Sequence, residues 1–202
     1  MKKGEKRKRE LLQIAYRLFL SQGYENTSVD QIIEEAGIAK GTYYYYFQSK
    51  EQMLEAVIGM MIEAEAEAAR AVLASELPVP QKLVGIIASV RPNQDEQPIE
   101  EALKRPENVL MHNKIRSRLL EAVVPLLSEA VEEGVRSGLF ACDHIPERVR
   151  MLLLLSSDLF DEGEFSRADV EVFIDAAEKL LGAAPGTMGF IGQFIRQGGA
   201  GK

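Results

Sequence analysis

Apolar and polar positions repeat with a helical period along most of the chain. Leu11, Ile14, Ala15, Leu18 and Phe19 stand at i, i+3, i+4, i+7 and i+8, predicting a helix over 6–22 that Gly23 ends. Val29, Ile32, Ile33 and Ala36 form a second, shorter stripe. Ser28 and Gln31 before it have capping-box spacing, and Asp30 places negative charge near the positive end of that helix. Gly37 can take the positive φ that closes it, and Ile38 is the one apolar residue available to plug the corner. A short helix then opens at Lys40-Gly41-Thr42. Ser49 caps a long one over 50–75, apolar at Met53, Leu54, Val57, Ile58 and Met61 and Ala-rich beyond Glu63.

Pro78 and Pro80 break the pattern. A short helix is predicted over 81–90, a polar loop over 91–98 and a brief helix over 99–104. A long helix over 107–137 contains Pro125, which should kink or split it. Gly138 closes it and Phe140 turns back. Residues 146–160 are apolar on two sides, Val149, Leu152, Leu153 and Leu159 on one, Met151, Leu154 and Leu155 on the other, so this helix needs two partners. Ser166 caps a helix carrying Val170, Phe173, Ile174, Ala177, Leu180 and Leu181 at a period near 3.6. After Gly182, Gly and Ala dominate. The expected architecture is all-α with about nine helices. It comprises a head over 1–49 with a basic N-terminal arm, a helical body over 50–182 and a flexible tail over 183–202.

The chemistry concentrates in residues 37–50. The turn at Lys40-Gly41-Thr42 offers a cation, a bare backbone and a hydroxyl, a set able to approach phosphates and base edges. Four of the six tyrosines, Tyr43 to Tyr46, follow in a row. Buried phenols need hydrogen-bond partners, so most of these rings are expected to point outward, with Tyr44 and Phe47 on the inner face.

Residues Ala36 to Glu51 closely resemble the helix-turn-helix signature of the TetR family of transcriptional regulators. In that signature Ala-Gly is followed by an apolar residue, a small residue, Lys-Gly-Thr-Leu-Tyr-Tyr-His-Phe and, one residue on, Ser-Lys-Glu. Tyr43 stands where Leu is common and Tyr46 where His is common. The resemblance implies that Lys40, Gly41, Thr42 and Tyr43 approach base edges, while Ser28, Tyr44, Tyr46 and Lys50 hold phosphates. It also implies a homodimer on a double-stranded, palindromic DNA operator, released by a small effector. The two apolar helices over 146–181 would form the dimer bundle, through Leu152, Leu155, Leu159, Val170, Phe173, Ile174 and Ala177.

Charge supports this division. The chain has a net charge of −7. Residues 1–50 hold nine Lys/Arg and six Asp/Glu, or +3; residues 51–202 hold fifteen and twenty-five, or −10. Screening confines such effects to about 10 Å at ordinary salt, so local charge decides a local contact. A basic head on an acidic body suits a DNA reader.

The remaining chemistry is sparse. A single cysteine, Cys142, precludes an intrachain disulfide and a cysteine-based zinc site, which fits a cytoplasmic location. The longest purely apolar run, Met151 to Leu155, is far short of the roughly 20 residues of a membrane span. No phosphate-binding loop or His-Glu-x-x-His motif occurs. No metal, cofactor or catalytic set is expected. Met61, His112, Asn113, Arg116 and Asp158 are the candidates for lining an effector cavity with a mostly apolar guest. Two other readings stand beside a regulator: an enzyme that kept a helix-turn-helix head, and a helical adaptor that binds protein through the tyrosine face.

Overall fold

The structure is a computed structural model that describes residues 3–91, 94–160 and 165–199. The first two residues of the basic arm, 92–93 of the polar loop and the last three residues of the expected tail lie outside it. Ten α-helices follow one another among the described residues: α1 (Lys3–Gln22), α2 (Val29–Glu35), α3 (Lys40–Tyr46), α4 (Lys50–Leu73), α5 (Val79–Ser89), α6 (Gln97–Leu103), α7 (Val109–Arg136), α8 (Ile145–Phe160), α9 (Arg167–Leu181) and α10 (Gly189–Gly199). None is long and apolar enough to cross a membrane. The chain divides into two compact units, residues 1–65 with 91–119 and residues 66–90 with 120–202.

In the first unit Leu11, Ala15 and Phe19 of α1 are fully buried, as their spacing requires. They pack with Ile32 of α2, Tyr43 and Phe47 around α3, and Met53, Leu54, Val57 and Ile58 of α4. Three short helices alone bury too little to be stable. The first half of α4 supplies the missing core, at about 1.5–3 kcal/mol per buried large apolar side chain. Ile99 and Ala102 of α6 and Ile115 of α7 add to it.

In the second unit α7 carries Val123, Val124, Leu127, Ala130 and Val131 into the core. Pro125 does not split it; the helix runs unbroken to Arg136. Pro125 is exposed, so water can serve the Glu121 carbonyl that it leaves without a helical donor. Gly138 ends the run at φ 77°, and Phe140 turns back so that its ring lies where a side chain on Gly134 would stand.

The chain after Gly182 departs from the expected flexible tail. Residues 189–199 are helical, and α10 packs against α9 and α5. Ile195 joins Phe160, Val170 and Phe173 in one buried cluster. The turn before α10 is pinned by Glu178, a buried carboxylate whose Oε1 accepts the Met188 N–H at 2.9 Å. The apolar residues here are few and spread among glycines, so the sequence over 190–196 carries only a faint amphipathic pattern, compatible with a short turn as well as with a flexible tail.

Candidate nucleic-acid interface

Helices α2 and α3 and their turn form the site. Ser28 caps α2 in extended conformation: its Oγ accepts the Gln31 N–H at 3.1 Å, and its own N–H donates to Gln31 Oε1 at 2.7 Å. Gly37 at φ 59° reverses the chain, its N–H donating to the Glu34 carbonyl, and the Ile38 N–H donates to the Ile33 carbonyl at 3.2 Å. Ile38 packs against the core, as expected for the corner residue. Helix α3 then presents Lys40, Gly41, Tyr44 and Tyr45 to solvent, with Thr42 and Tyr46 half-buried. A Cβ on Gly41 would meet no protein atom within 4 Å, so packing does not demand a glycine there; the bare backbone is open to a partner.

Lys40 Nζ lies 3.1 Å from Asp30 Oδ1, linking α3 to α2. That hydrogen bond holds the lysine above its ordinary pKa, and it stays charged. Both side chains are exposed, so the pair is weakly bound and a phosphate can compete for the ammonium.

The structure corrects the expected roles of two residues. Tyr43 is fully buried and faces the core rather than base edges. Positions 43 and 47 lie one turn apart on the inner face of α3, and their rings are 6.0 Å apart. The phenol finds a partner in the Ser49 carbonyl at 3.4 Å, and burial pushes its pKa up to about 12. The inner pair is therefore Tyr43 and Phe47, while Tyr44 is 45 % exposed. Lys50, expected on phosphate, donates to the carbonyls of Tyr24 at 2.9 Å and Glu25 at 3.3 Å, with its ammonium 4.2 Å from the Tyr24 ring. It ties the α1–α2 link to α4. Tyr45, which the resemblance does not single out, is at 81 % the most exposed of the tyrosines in this run.

The residues expected to line an effector cavity are divided between the two units. Met61 packs against the core of the first unit and His112 is half-buried. Asn113 and Arg116 are exposed, because the inward face of α7 there is set by Met111 and Ile115. Asp158 is exposed and belongs to the second unit.

The residues expected at a dimer bundle also separate. Val170, Phe173 and Ala177 are buried in their own chain, and Leu152 and Ile174 pack on that cluster, because α10 supplies the cover. Leu155 and Leu159 are exposed, and with Met151, Leu154 and Asp158 they make one stripe at i, i+3, i+4, i+7 and i+8 along α8.

Residues 11–57 match the family model of bacterial regulatory proteins of the tetR family. This segment is a TetR-type helix-turn-helix. Similar proteins include the HTH-type transcriptional repressor KstR2 of Mycolicibacterium smegmatis, 46 % identical over 52 residues that span 26 % of this chain and 25 % of KstR2. The chain thus matches only about a quarter of that relative, and the likeness lies in one short segment. An uncharacterised HTH-type regulator of Bacillus subtilis, YhgD, is 23 % identical over 77 % of this chain and 83 % of its own. The crystal structure of RolR in complex with resorcinol has the same fold, with a TM-score of 0.62 at 18 % identity, covering 96 % of this chain and 94 % of RolR. The chain has the expected all-α architecture, an N-terminal helix-turn-helix followed by a helical body.

Proposed function

We propose that this protein is a DNA-binding transcriptional regulator that works as a homodimer and is released from a palindromic operator by a small, mostly apolar effector. The observation that carries the reading is the α3 surface. Lys40, the open backbone of Gly41, Tyr44 and Tyr45 share one exposed flank of a capped, rigidly cored helix. Nothing in the packing of the head requires that set, and a cation, bare backbone and phenols are what phosphate and base edges bind. Within this reading Lys40, Gly41 and Thr42 approach bases, while Ser28, Tyr44 and Tyr46 hold phosphates. The Ser28 hydroxyl proton remains available, because its oxygen only accepts within the cap.

The stripe on α8 supports the dimer. Met151, Leu154, Leu155 and Leu159 leave an apolar row in water. A second copy of the same stripe covers it by twofold symmetry. The effector part rests on the family and on RolR, a protein of this fold that binds resorcinol. A gel shift on the DNA upstream of the protein's own coding sequence tests the core of the reading. Salt-sensitive, saturable retardation supports it; absence of retardation at low salt, with the dimer intact, defeats it and favours the adaptor.

A further inference from the structure

The first two turns of α1 carry several cations that the head does not pair with acidic side chains. Lys6, Lys8 and Arg9 are exposed and have no acidic partner among the described residues, whereas Arg7 is tied to Glu10 at 3.2 Å. These turns adjoin the C-terminal end of α3. Lys8 Nζ stands 5.7 Å from the centre of the Phe47 ring, and a Cβ on Gly4 would lie 3.5 Å from the Tyr46 hydroxyl. Gly4 and Lys8 are one turn apart, so this side of α1 lies along Tyr46 and Phe47, with Lys8 beside Phe47 and Lys6 and Arg9 exposed around the rest of the same two turns.

We propose that this basic surface is a second contact with the phosphate backbone of duplex DNA, flanking the bases that α3 reads. The proposal rests on the DNA-binding reading above. It differs from a flexible arm that enters the minor groove and reads bases. Residues 3–9 are helical and continuous with α1. A helix with its side chains is about 10–12 Å across and does not enter a minor groove about 6 Å wide. A rigid basic helix can instead lie against phosphates, where its contacts carry no sequence information. Charge complementarity points the same way. In a chain of net charge −7, residues 1–9 hold Lys2, Lys3, Lys6, Arg7, Lys8 and Arg9 against Glu5 alone.

The test is a salt titration of the full chain with short fluorescent duplexes of several unrelated sequences, read by anisotropy. The triple variant K6Q/K8Q/R9Q removes the charges at exposed sites, and circular dichroism reports whether α1 stays helical. Each lost phosphate contact lowers the slope of log affinity against log salt by about 0.9, so the triple variant should lose roughly 2–3 and Lys8→Gln alone about one. The loss should be equal on every duplex. Lys179→Gln, on the second unit, should keep the parental slope. An unchanged slope in the triple variant overturns the proposal, as does a loss confined to particular sequences, which would mean base reading. Binding of the parent to phosphatidylserine vesicles that the triple variant loses, with duplex slopes unchanged, would assign the surface to membranes instead. A parent that binds no duplex at all defeats the DNA-binding reading itself, an outcome distinct from any of these.

Discussion

The ammonium of Lys50 sits 2.9 Å from the carbonyl oxygen of Tyr24 and 4.2 Å from the centre of the Tyr24 ring. This one side chain binds the link between α1 and α2 to the first turn of α4. Lys50→Ala should therefore act on stability. Charged hydrogen bonds contribute about 1.5–3 kcal/mol and an exposed cation–π contact about 0.5–1 kcal/mol, so a loss of roughly 2 kcal/mol is expected in urea unfolding. The salt slope of DNA binding should not change, and a drop of one unit with stability intact would return Lys50 to the phosphate contacts.

The tyrosine row separates in the same way. Tyr44→Ala and Thr42→Ala should weaken DNA binding with parental unfolding midpoints. Tyr43→Phe should leave DNA affinity intact and cost about 0.5–1.5 kcal/mol of stability, the ordinary worth of the hydrogen bond to Ser49. Parallel DNA titrations and melts of the three variants decide this; a Tyr43→Phe variant that loses DNA with no stability change would put that phenol on the duplex.

Assembly should depend on α8. Leu155→Glu adds charge to a side chain already 42 % exposed in the single chain, so it should yield a helical monomer in light scattering. Phe173→Glu places charge inside the cluster with Phe160 and Ile195 and should unfold or aggregate the protein. If Leu155→Glu remains a dimer of parental stability, the α8 stripe is not the contact.

Stability should also carry a proton linkage at Glu65. Burial, and then the neighbouring Glu96 carboxylate, raise its pKa from 4.5 to about 7. Glu96 is itself buried and accepts the Tyr16 hydroxyl at 3.1 Å. The folded state thus keeps a proton that the unfolded chain has released. Stability from this group is greatest below the unfolded value, falls as pH rises through the interval up to about 7, and is level above it. Glu65→Gln should flatten that fall, most visibly as a gain over the parent in urea unfolding at about pH 8 and little gain at about pH 5. Equal differences at both would remove Glu65 as the source.

Gly182 is expected to resist substitution. It ends α9 at φ 62°, and a Cβ there would overlap the Ala141 backbone, whose N–H donates to the Leu181 carbonyl at 3.0 Å. Gly182→Ala should cost more than about 1 kcal/mol by thermal melting, since both the conformation and the space oppose it.

Local rules were enough to place much of this molecule from the sequence. The stripe from Leu11 to Phe19, the capping box of Ser28 and Gln31, the reversal at Gly37 and the cap at Ser166 are set by near neighbours in the chain. Their helices therefore appear where the pattern puts them. Tertiary structure decided which way ambiguous side chains turned. Tyr43 is amphipathic, and only the neighbouring core and the Ser49 carbonyl made the inner position favourable. Lys50 could have served phosphate until the fold brought Tyr24 and Glu25 within reach, across about 25 residues of chain. The apolar face of α9 carried no label for its partner, and α10 covered it through Ile191 and Ile195. That left the outer row of α8 in solvent, since a periodic stripe states that a face must be buried but not by what.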